Sequence, residues 1–290
     1  MYSVGICIDE GYFLPALATL TSLADSRGPA EVRSIGVRVL TTDLARSRAA
    51  TMAAVVHRLG FGSFDLRWQR TDAHWRLASC GHISAATYLR FGFTRRFVDR
   101  PHFVYLDADL LVLGDLSGPF DSLATGQVAL VRDRLVHAVG RGQALPGVVQ
   151  RWPSFAGRPY YNAGVMWCAS ETLPGLRGHI ATIMARAQQH IHFNDQDALN
   201  LWALFSGAVV PAGAAWNTFE LERFEEGAHL SDNSGSADPV VLHFVGPDKP
   251  WQRTCPPCRG VRLYRSYLTA ARRLTSQVGD RIADLPPLGG

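Results

Sequence analysis

Two aspartates separated by one residue, Asp107 and Asp109, carry the most chemistry of any pair in this sequence. They follow an apolar run, residues 104–106, that is typical of a buried strand, so they are expected at the carboxyl end of a strand. Ligands bind at that edge of α/β sheets. Two carboxylates this close repel each other unless they share a cation, and oxygen ligands suit Mg²⁺ or Mn²⁺ on the phosphates of a nucleotide. A turn or helix cap is the alternative for an Asp-x-Asp pair.

Two further polar segments look unsuited to pure packing. Asp9 and Gly11 follow the first predicted strand and could contact a base or a ribose, although solvated acids in a turn are the alternative. Residues 194–197 are all polar, and either Asn194 or Asp195 could cap the helix that follows. Four consecutive polar residues exceed what a cap requires, so we expect a carboxylate and an amide there to hydrogen-bond sugar hydroxyls.

The segment of residues 243–251 brings a histidine, a glycine and a lysine to the end of the last predicted strand. Lys249 is the only lysine among 29 basic residues. Codon bias can remove lysine, but a single retained one indicates a site that needs a compact ammonium with three donors, as phosphate sites often do. Gly246 permits close approach of the backbone. His243, as a neutral imidazole, could complete the metal site that the two aspartates begin.

Runs with the periodicity of strands and helices alternate along the chain. Strands are predicted at residues 3–8, 34–40, 63–68, 104–107, 127–131, 160–168 and 240–244. Helices are predicted at residues 13–23, at 43–59 between a Thr42 cap and a Gly60 stop, at 84–97, after a cap at Ser170, and at 195–205. This alternation predicts an α/β fold with a mainly parallel sheet and helices on both of its faces. Residues 136–158 are expected to form a loop or lid, and residues 231–238 a surface loop.

The composition fits one substantial core, or two small ones at most, in 290 residues of which 47% are hydrophobic. No apolar stretch approaches the roughly twenty residues needed to cross a bilayer, and the amino terminus lacks a basic segment ahead of an apolar one, so a cytoplasmic protein is expected. A formal charge of +4 favours an anionic ligand but falls short of a nucleic-acid-binding profile. The five scattered cysteines indicate reduced thiols.

The chain is expected to divide into a main domain, residues 1–250, and a basic amphipathic carboxyl-terminal helix or tail, residues 251–290. Apolar residues within 261–278 fall on one helical face, with arginines opposite. Packing of this helix on the domain and peripheral association with the inner face of a membrane are both open. Cys255 and Cys258 have the spacing of half a zinc site or of a redox pair, but no second pair of ligands follows, which favours structural or incidental thiols.

Taken in chain order, six segments resemble the glycosyltransferases of family eight, the retaining GT-A group that includes bacterial lipooligosaccharide galactosyltransferases and glycogenin. Each segment is weak alone, and six in the family's order are a strong signal over residues 4–251. The segments are Asp9-Glu10-Gly11-Tyr12; His82-Ile83-Ser84 with Thr87-Tyr88 and Arg90; Tyr105-Leu106-Asp107-Ala108-Asp109; Tyr161-Asn162-Ala163-Gly164-Val165; Asp195-Gln196-Asp197 with Leu199-Asn200; and His243 with Gly246-Pro247 and Lys249-Pro250-Trp251.

The resemblance implies a GT-A fold, in which a single Rossmann-like, mixed but mainly parallel sheet is flanked by helices. It implies a metal-dependent, retaining hexosyltransferase that takes galactose or glucose from a UDP-sugar to a hydroxyl acceptor. The roles that it implies are Mn²⁺ or Mg²⁺ binding by Asp107, Asp109 and His243; phosphate contact by Gly246 and Lys249; uridine contact by Asp9, Gly11 and the Ala108 backbone; contact with the donor sugar by Arg90, Asn162, Ala163, Asp195 and Gln196; and an acceptor-facing position for Asp133. Asp109 is expected to be the stricter metal ligand.

Several alternatives stay open beside this resemblance. Glu10, Gly11 and Val245 depart from the family's usual residues, which affects the uridine contacts and the acceptor more than the metal. A nucleotidyltransferase is disfavoured because no glycine-rich basic loop near the amino terminus could hold a triphosphate. A non-catalytic UDP-sugar-binding module is disfavoured because the sugar-contacting residues are retained. A saccharide or lipid-linked glycan is the expected acceptor, with a peptide, protein or small metabolite as alternatives. Attack on the same face of the sugar is favoured over a transient nucleophile, for which Asp195 is the nearest carboxylate and the Gln196 amide a poor substitute.

Overall fold

The computed structural model describes residues 1–69, 85–224 and 238–283. In these ranges the strands are β1 (Tyr2–Ile8), β2 (Gly36–Thr41), β3 (Ser63–Trp68), β4 (His102–Leu106), β5 (Leu110–Val112), β6 (Val128–Arg132), β7 (Tyr161–Ala169), β8 (Val209–Ala212), β9 (Thr218–Phe219) and β10 (Val241–His243). The α-helices there are α1 (Phe13–Asp25), α2 (Pro29–Ser34), α3 (Arg46–Arg58), α4 (Arg95–Val98), α5 (Val148–Arg151), α6 (Leu173–Ala187), α7 (Asn194–Ser206) and α8 (Arg259–Ala283).

Seven of these strands form the central sheet, in the order β3-β2-β1-β4-β7-β6-β8. Strands β1 to β4 run parallel to one another, as the β-α alternation requires. Strand β7 runs antiparallel to both of its neighbours, and β8 pairs parallel with β6. β1 and β4 are almost fully buried, which explains the apolar run that predicts β4. The predicted α/β fold, with a mixed and mainly parallel sheet flanked by helices, is confirmed.

A second, three-stranded sheet has the order β5-β10-β9, and the prediction of a single sheet did not include it. β10 pairs antiparallel with β5 and parallel with β9, so the last predicted strand lies outside the central sheet. Strands of two or three residues give no readable periodicity, which is why β5 and β9 were not predicted. The chain therefore leaves the central sheet at Leu106 and enters the small sheet at Leu110, with residues 107–109 as the crossing.

The predicted helix at residues 84–97 is wrong in its form. A 3-10 helix spans Ala85–Gly92, and α4 then begins anew where the Thr94 side chain accepts a hydrogen bond from the Phe97 amide. Asp99, in the left-handed region at φ 58°, ends α4. Part of the second motif of the family resemblance, residues 82–84, lies outside the described residues, as do residues 231–237 of the predicted surface loop.

Two predicted helix caps are also wrong. α3 begins at Arg46 rather than after Thr42, because the Thr41 side chain accepts from the Leu44 amide and holds residues 41–44 in a turn. Gly60, at φ +88°, does follow the end of that helix. A 3-10 turn at Ser170–Thr172 comes before α6, so Ser170 does not cap it. The predicted loop of residues 136–158 contains the short helix α5.

Helix α8 packs along α1 and α3 on one face of the central sheet. Its apolar residues Val261, Tyr264, Leu268 and Ala271 are buried in the core that they share with β1 and α1. Burial of each large apolar side chain contributes about 2 kcal/mol. The apolar stripe predicted for the carboxyl-terminal helix is therefore occupied by the protein itself. None of the described helices has the length and apolar character to span a membrane.

Candidate active site

Asp107, Asp109 and His243 come together at the crossing between the two sheets. One ligand atom from each lies within 4.8 Å of the others. His243 Nε2 is 3.3 Å from Asp109 Oδ1 and 4.0 Å from Asp107 Oδ2. The register of the small sheet explains this, because β10 places His243 opposite Leu110, the residue that follows Asp109. The three residues predicted as metal ligands are thus neighbours in space.

A chain of hydrogen bonds fixes which nitrogen of His243 carries a proton. The Gly164 amide donates to Asn162 Oδ1 at 2.9 Å, so that atom is the amide oxygen. Asn217 Nδ2 donates to the same oxygen at 2.8 Å, which turns Asn217 Oδ1 toward His243 Nδ1, 2.9 Å away. Nδ1 must therefore carry the hydrogen, and the lone pair of Nε2 faces the two carboxylates. A second residue that fixes the ring in this way is usual for histidines that bind metals.

Two carboxylates and one imidazole fit Mn²⁺ or Mg²⁺ as a donor set, because oxygen ligands suit both ions and imidazole suits the transition metals. Lys249, which was predicted to face phosphate, lies with its ammonium against Asp109 Oδ2 and donates to the Phe244 carbonyl at 3.0 Å. Burial acts to raise the pKa of the Asp109 carboxyl, but the positive charge of Lys249 outweighs it and holds that pKa well below its usual range. Asp109 is therefore a carboxylate.

Arg90 links the candidate metal site to the next carboxylate in the cleft. Its buried guanidinium lies 2.9 Å from Asp107 Oδ1 and 2.7 Å from Asp195 Oδ2, and it also donates to the Ala163 carbonyl. The Tyr105 hydroxyl donates to the same Asp107 oxygen at 2.7 Å. Asp107 Oδ1 is thus committed to protein partners, and Oδ2 is the oxygen that faces His243. Burial acts to lower the pKa of Arg90, but Asp107 and Asp195 raise it above its ordinary value.

Asn162, Gln196 and Asp133 form a connected polar group beside this pair. Asn162 Nδ2 donates to Gln196 Oε1 at 3.0 Å, and the Ala163 amide donates to the same oxygen at 3.1 Å. Gln196 Nε2 donates to Asp133 Oδ2 at 3.3 Å. Asp133 also accepts from Asn162 Nδ2 and from the amides of residues 135 and 136, and it is only 6% exposed. It therefore holds the side-chain amides of Asn162 and Gln196 in place.

The first turn of α7 explains why Asp195 and Gln196 can face the cleft. Asp197, two residues further along, accepts from the amides of His192 and Phe193 at 2.7 and 2.8 Å. It also accepts from the Tyr160 hydroxyl at 2.6 Å. The prediction that Asn194 or Asp195 caps this helix is wrong, because Asp197 satisfies the amides that precede the helix, as a capping-box residue does.

Asp9 and Tyr12, from the segment predicted to face the nucleotide, line the cleft near the amino terminus. Asp9 accepts from the Tyr12 amide at 3.2 Å and caps the 3-10 turn Glu10–Tyr12. The Tyr12 ring packs edge-on against Trp251 at 5.4 Å. Gly246, which lines the same cleft, adopts φ +85°, a conformation that favours glycine.

These groups surround a cavity of about 280 Å³. The predicted site residues in its lining are Asp9, Arg90, Asp107, Ala108, Asp109, Asn162, Ala163, Asp195, Gln196, His243, Gly246 and Lys249. Among the described residues, Gly11 and Asp133 are not part of this lining. Thr87, which the family motif named without a role, also lines it; sequence reasoning missed Cys7 and Phe193 in the lining, and Asn217 behind His243. Burial raises the pKa of the Cys7 thiol well above its ordinary value, so it is not a nucleophile.

The two cysteines of the Cys-x-x-Cys segment lie outside this cleft. Cys258 Sγ lies 3.3 Å from Glu220 Oε1, and burial raises the pKa of the Cys258 thiol to about 11. Glu220, Glu222 and Cys258 also have ligand atoms within 4.8 Å of one another. Glu220 is already paired with Arg223 at 2.7 Å, which neutralises the buried carboxylate that a metal would need. The geometry supports the structural interpretation of these thiols.

An α/β sheet with an Asp-x-Asp and histidine cluster at the carboxyl end of a central strand is the arrangement of a GT-A fold. Residues 3–255 match the family model described as Glycosyl transferase family 8, and the chain belongs to that family. The resemblance drawn from the six motifs is confirmed.

Individual relatives agree with the family match. GlyE of Streptococcus pneumoniae serotype 4 is 27% identical over an alignment of 184 residues that covers 59% of this chain and 38% of GlyE. GlyF of the same bacterium is 24% identical over 176 residues, again 38% of its length, so the chain spans about two fifths of both relatives. The galactosyltransferase LgtC, solved with donor and acceptor sugar analogs, superposes with a TM-score of 0.74 over 92% of this chain and 95% of LgtC, at 21% identity. A likeness at that identity shows the fold.

Proposed function

We propose that this protein is a metal-dependent, retaining glycosyltransferase that moves a hexose, galactose or glucose, from a UDP-sugar to a hydroxyl acceptor. The observation that carries the proposal is the joint placement of Asp107, Asp109 and His243 beside the buried pair of Arg90 and Asp195. Such a cleft offers ligands for a cation on a diphosphate and hydrogen-bonding groups for a sugar next to it. Membership of a glycosyl transferase family and a fold shared with a galactosyltransferase support the same activity.

The chemistry follows from where charge develops. Breaking the anomeric bond leaves negative charge on UDP, and Mn²⁺, when bound, supplies Lewis-acid stabilisation of that leaving group. Asp107 Oδ2, Asp109 Oδ1 and His243 Nε2 are the atoms that would hold it. The Lys249 ammonium lies at the same place and adds positive charge toward the diphosphate.

The residues around the sugar favour attack on the same face over a covalent intermediate. Gln196 Oε1 accepts from the Ala163 amide and from Asn162, so the amide oxygen is both weakly nucleophilic and already occupied. The Asp195 carboxylate is paired with Arg90 at 2.7 Å, which withdraws its charge from the sugar. The sugar and UDP would instead form an ion pair in which the sugar is oxocarbenium-like. UDP takes the proton from the acceptor hydroxyl, so this route needs no protein nucleophile.

The acceptor that we propose is a saccharide or a lipid-linked glycan, with a peptide, protein or small metabolite as the second choice. LgtC is a galactosyltransferase that was solved with an acceptor sugar analog, and GlyE and GlyF are glycosyltransferases. The apolar face of α8 is buried, so within this helix the arginine face is the part left for peripheral membrane association.

The experiment that tests the proposed function measures release of UDP from UDP-galactose and UDP-glucose in the presence of Mn²⁺. Asp109→Asn keeps the shape of the side chain and removes the charge, so it should abolish both UDP release and metal-dependent UDP affinity. Asp65→Asn, on the edge strand β3, is the matched control and should behave as wild type. Acceptors are then screened with the active donor by mass spectrometry.

The same experiment separates the alternatives. UDP affinity that depends on Asp109, without hydrolysis or transfer for any UDP-sugar, would indicate a non-catalytic UDP-sugar-binding module. If no UDP-sugar is hydrolysed or transferred, and Asp109→Asn leaves UDP affinity unchanged, the proposed function is wrong.

A further inference from the structure

Arg223 lies outside the cleft, and its side chain is fully buried. Its guanidinium donates to three backbone carbonyl oxygens, those of Glu220, Val245 and Asp248. Its charge is balanced by Glu220 Oε2, 2.7 Å from Nη1. The guanidinium also lies over the Phe224 ring, 4.4 Å from its centroid. A planar group with five donors is required to reach so many acceptors at once.

Two of those carbonyls belong to the loop of residues 244–250, which we call the 244–250 loop. Val245 precedes Gly246, and Asp248 precedes Lys249, so Arg223 holds the residue immediately before each of the two groups expected on the diphosphate. His243 comes directly before this loop. The shape of the phosphate-facing backbone therefore depends on a side chain that never enters the cleft.

Glu220, the partner of Arg223, is held from two other directions. Its amide donates to the His243 carbonyl at 2.9 Å, which continues the pairing of β9 with β10. Its Oε1 atom lies 3.3 Å from Cys258 Sγ, just before α8. Gly260, in the first turn of α8, approaches so closely that an added Cβ would lie 2.5 Å from Glu220 Cγ. The start of α8 is thus in close contact with Glu220, the partner of Arg223 in the ion pair beside the 244–250 loop.

We propose that Arg223 is a positioning residue for the donor, which it serves by fixing the 244–250 loop so that Gly246 and Lys249 meet the diphosphate. This inference rests on the proposed function, because a nucleotide diphosphate is the ligand. Glu220 and the start of α8 complete the support, so the carboxyl-terminal helix acts on donor binding from outside the cleft.

Arg223→Lys is the first test, because lysine keeps the charge beside Glu220 but cannot span three carbonyls. Amide hydrogen exchange in the 244–250 loop should become faster, and affinity for UDP with Mn²⁺ should fall about tenfold, which corresponds to about 1.4 kcal/mol. The KM for the UDP-sugar should rise by a similar factor, with a smaller change in kcat. Arg38→Lys is the matched control, since Arg38 is 4% exposed and donates to two backbone carbonyls far from the loop. It should change neither the hydrogen exchange of the 244–250 loop nor the affinity for UDP.

A second pair of variants perturbs the support from the side of α8. Gly260→Ala places a methyl group against Glu220, whereas Gly178→Ala adds the same group to helix α6 with nothing within 4 Å. Gly260→Ala should reproduce the faster exchange and the weaker UDP affinity, and Gly178→Ala should not. If Arg223→Lys fails to fold, Gly260→Ala and Gly178→Ala still test the proposal.

The possible outcomes separate this inference from the proposed function. Unchanged exchange in the 244–250 loop in both Arg223→Lys and Gly260→Ala overturns the positioning role, as does faster exchange with wild-type UDP affinity. A wild-type protein that binds no UDP with Mn²⁺ refutes the proposed function, and with it the role of Arg223 toward a donor.

Discussion

Removal of the Asn217 side chain should weaken metal binding although Asn217 is not a metal ligand. Asn217 is 1% exposed, and its Oδ1 is the acceptor that keeps the hydrogen of His243 on Nδ1. Without that acceptor, the ring gains by moving the hydrogen to Nε2, where it can donate to Asp109 Oδ1 at 3.3 Å. A metal ion would then have to displace a hydrogen from the nitrogen that it needs.

The structure sets the size of this effect. The lost hydrogen bond to the imidazole is worth about 1 kcal/mol, and the competing bond from Nε2 to Asp109 is worth a similar amount. Together they predict a loss of Mn²⁺ affinity of about 10- to 100-fold for Asn217→Ala, in the range found for residues behind histidine ligands. Asn217→Asp keeps an acceptor at the same place and should retain most of the affinity, although it loses the hydrogen bond to Asn162 and lowers the stability of the fold.

The assay is a calorimetric titration of Mn²⁺ in the presence of UDP. Thermal unfolding is also measured on each variant. The expected order of affinity is wild type, then Asn217→Asp close behind, then Asn217→Ala. Equal affinities for wild type and Asn217→Ala would show that the tautomer is not under the control of Asn217. An Asn217→Asp variant that is folded at the assay temperature but binds Mn²⁺ as weakly as Asn217→Ala would refute the argument as well.

Three further predictions concern other parts of the molecule. Arg90→Gln should lower the free energy of unfolding by about 3 kcal/mol, because it leaves buried carboxylates without their cation, and Mn²⁺ with UDP should restore part of the loss in denaturant titrations. Gly164→Ala should abolish Mn²⁺-dependent UDP binding, since an added Cβ would lie 2.3 Å from His243 Cε1; wild-type binding by a folded variant would contradict the site geometry. Burial and a hydrogen bond to Asp25 raise the pKa of Tyr267 from 10.0 to about 12, so its contribution to stability is present below pH 10 and lost as the pH rises toward 12. Tyr267→Phe should reduce that loss in unfolding curves measured across this range, and an unchanged loss would contradict the assignment.

The sequence predicted the parts of the site that lie at the ends of strands with strong local patterns. Asp107 and Asp109 follow an apolar run, and His243 ends another, so each could be placed at a strand end without knowledge of its partner. The prediction that Asp107, Asp109 and His243 lie close together came from the metal ion that all three were expected to bind. The same logic holds for β1, β2 and β4, which are almost fully buried and were predicted from their apolar content.

The residues that sequence reasoning missed depend on pairings between distant segments. Asn217 and Arg223 sit beside a two-residue strand, and their roles arise only because Thr218 pairs with Leu242. The cap of α7 was assigned to the wrong residue for a related reason. Asp197 accepts from the amides of residues 192 and 193. The pattern of polar residues alone favours a cap by one of the first two residues of the run, Asn194 or Asp195.

The crossing at residues 107–109 has a consequence for the order in which the protein is made. The two aspartates belong to the first half of the chain, whereas Lys249, which contacts Asp109, lies 140 positions later. A ribosome therefore produces the whole central sheet before it supplies the histidine and lysine that balance those carboxylates. Closing contacts of such long sequence separation costs chain entropy, and domains generally fold as units. The set of three candidate metal ligands is thus complete only after residue 243 has been synthesised, late in the growth of the chain.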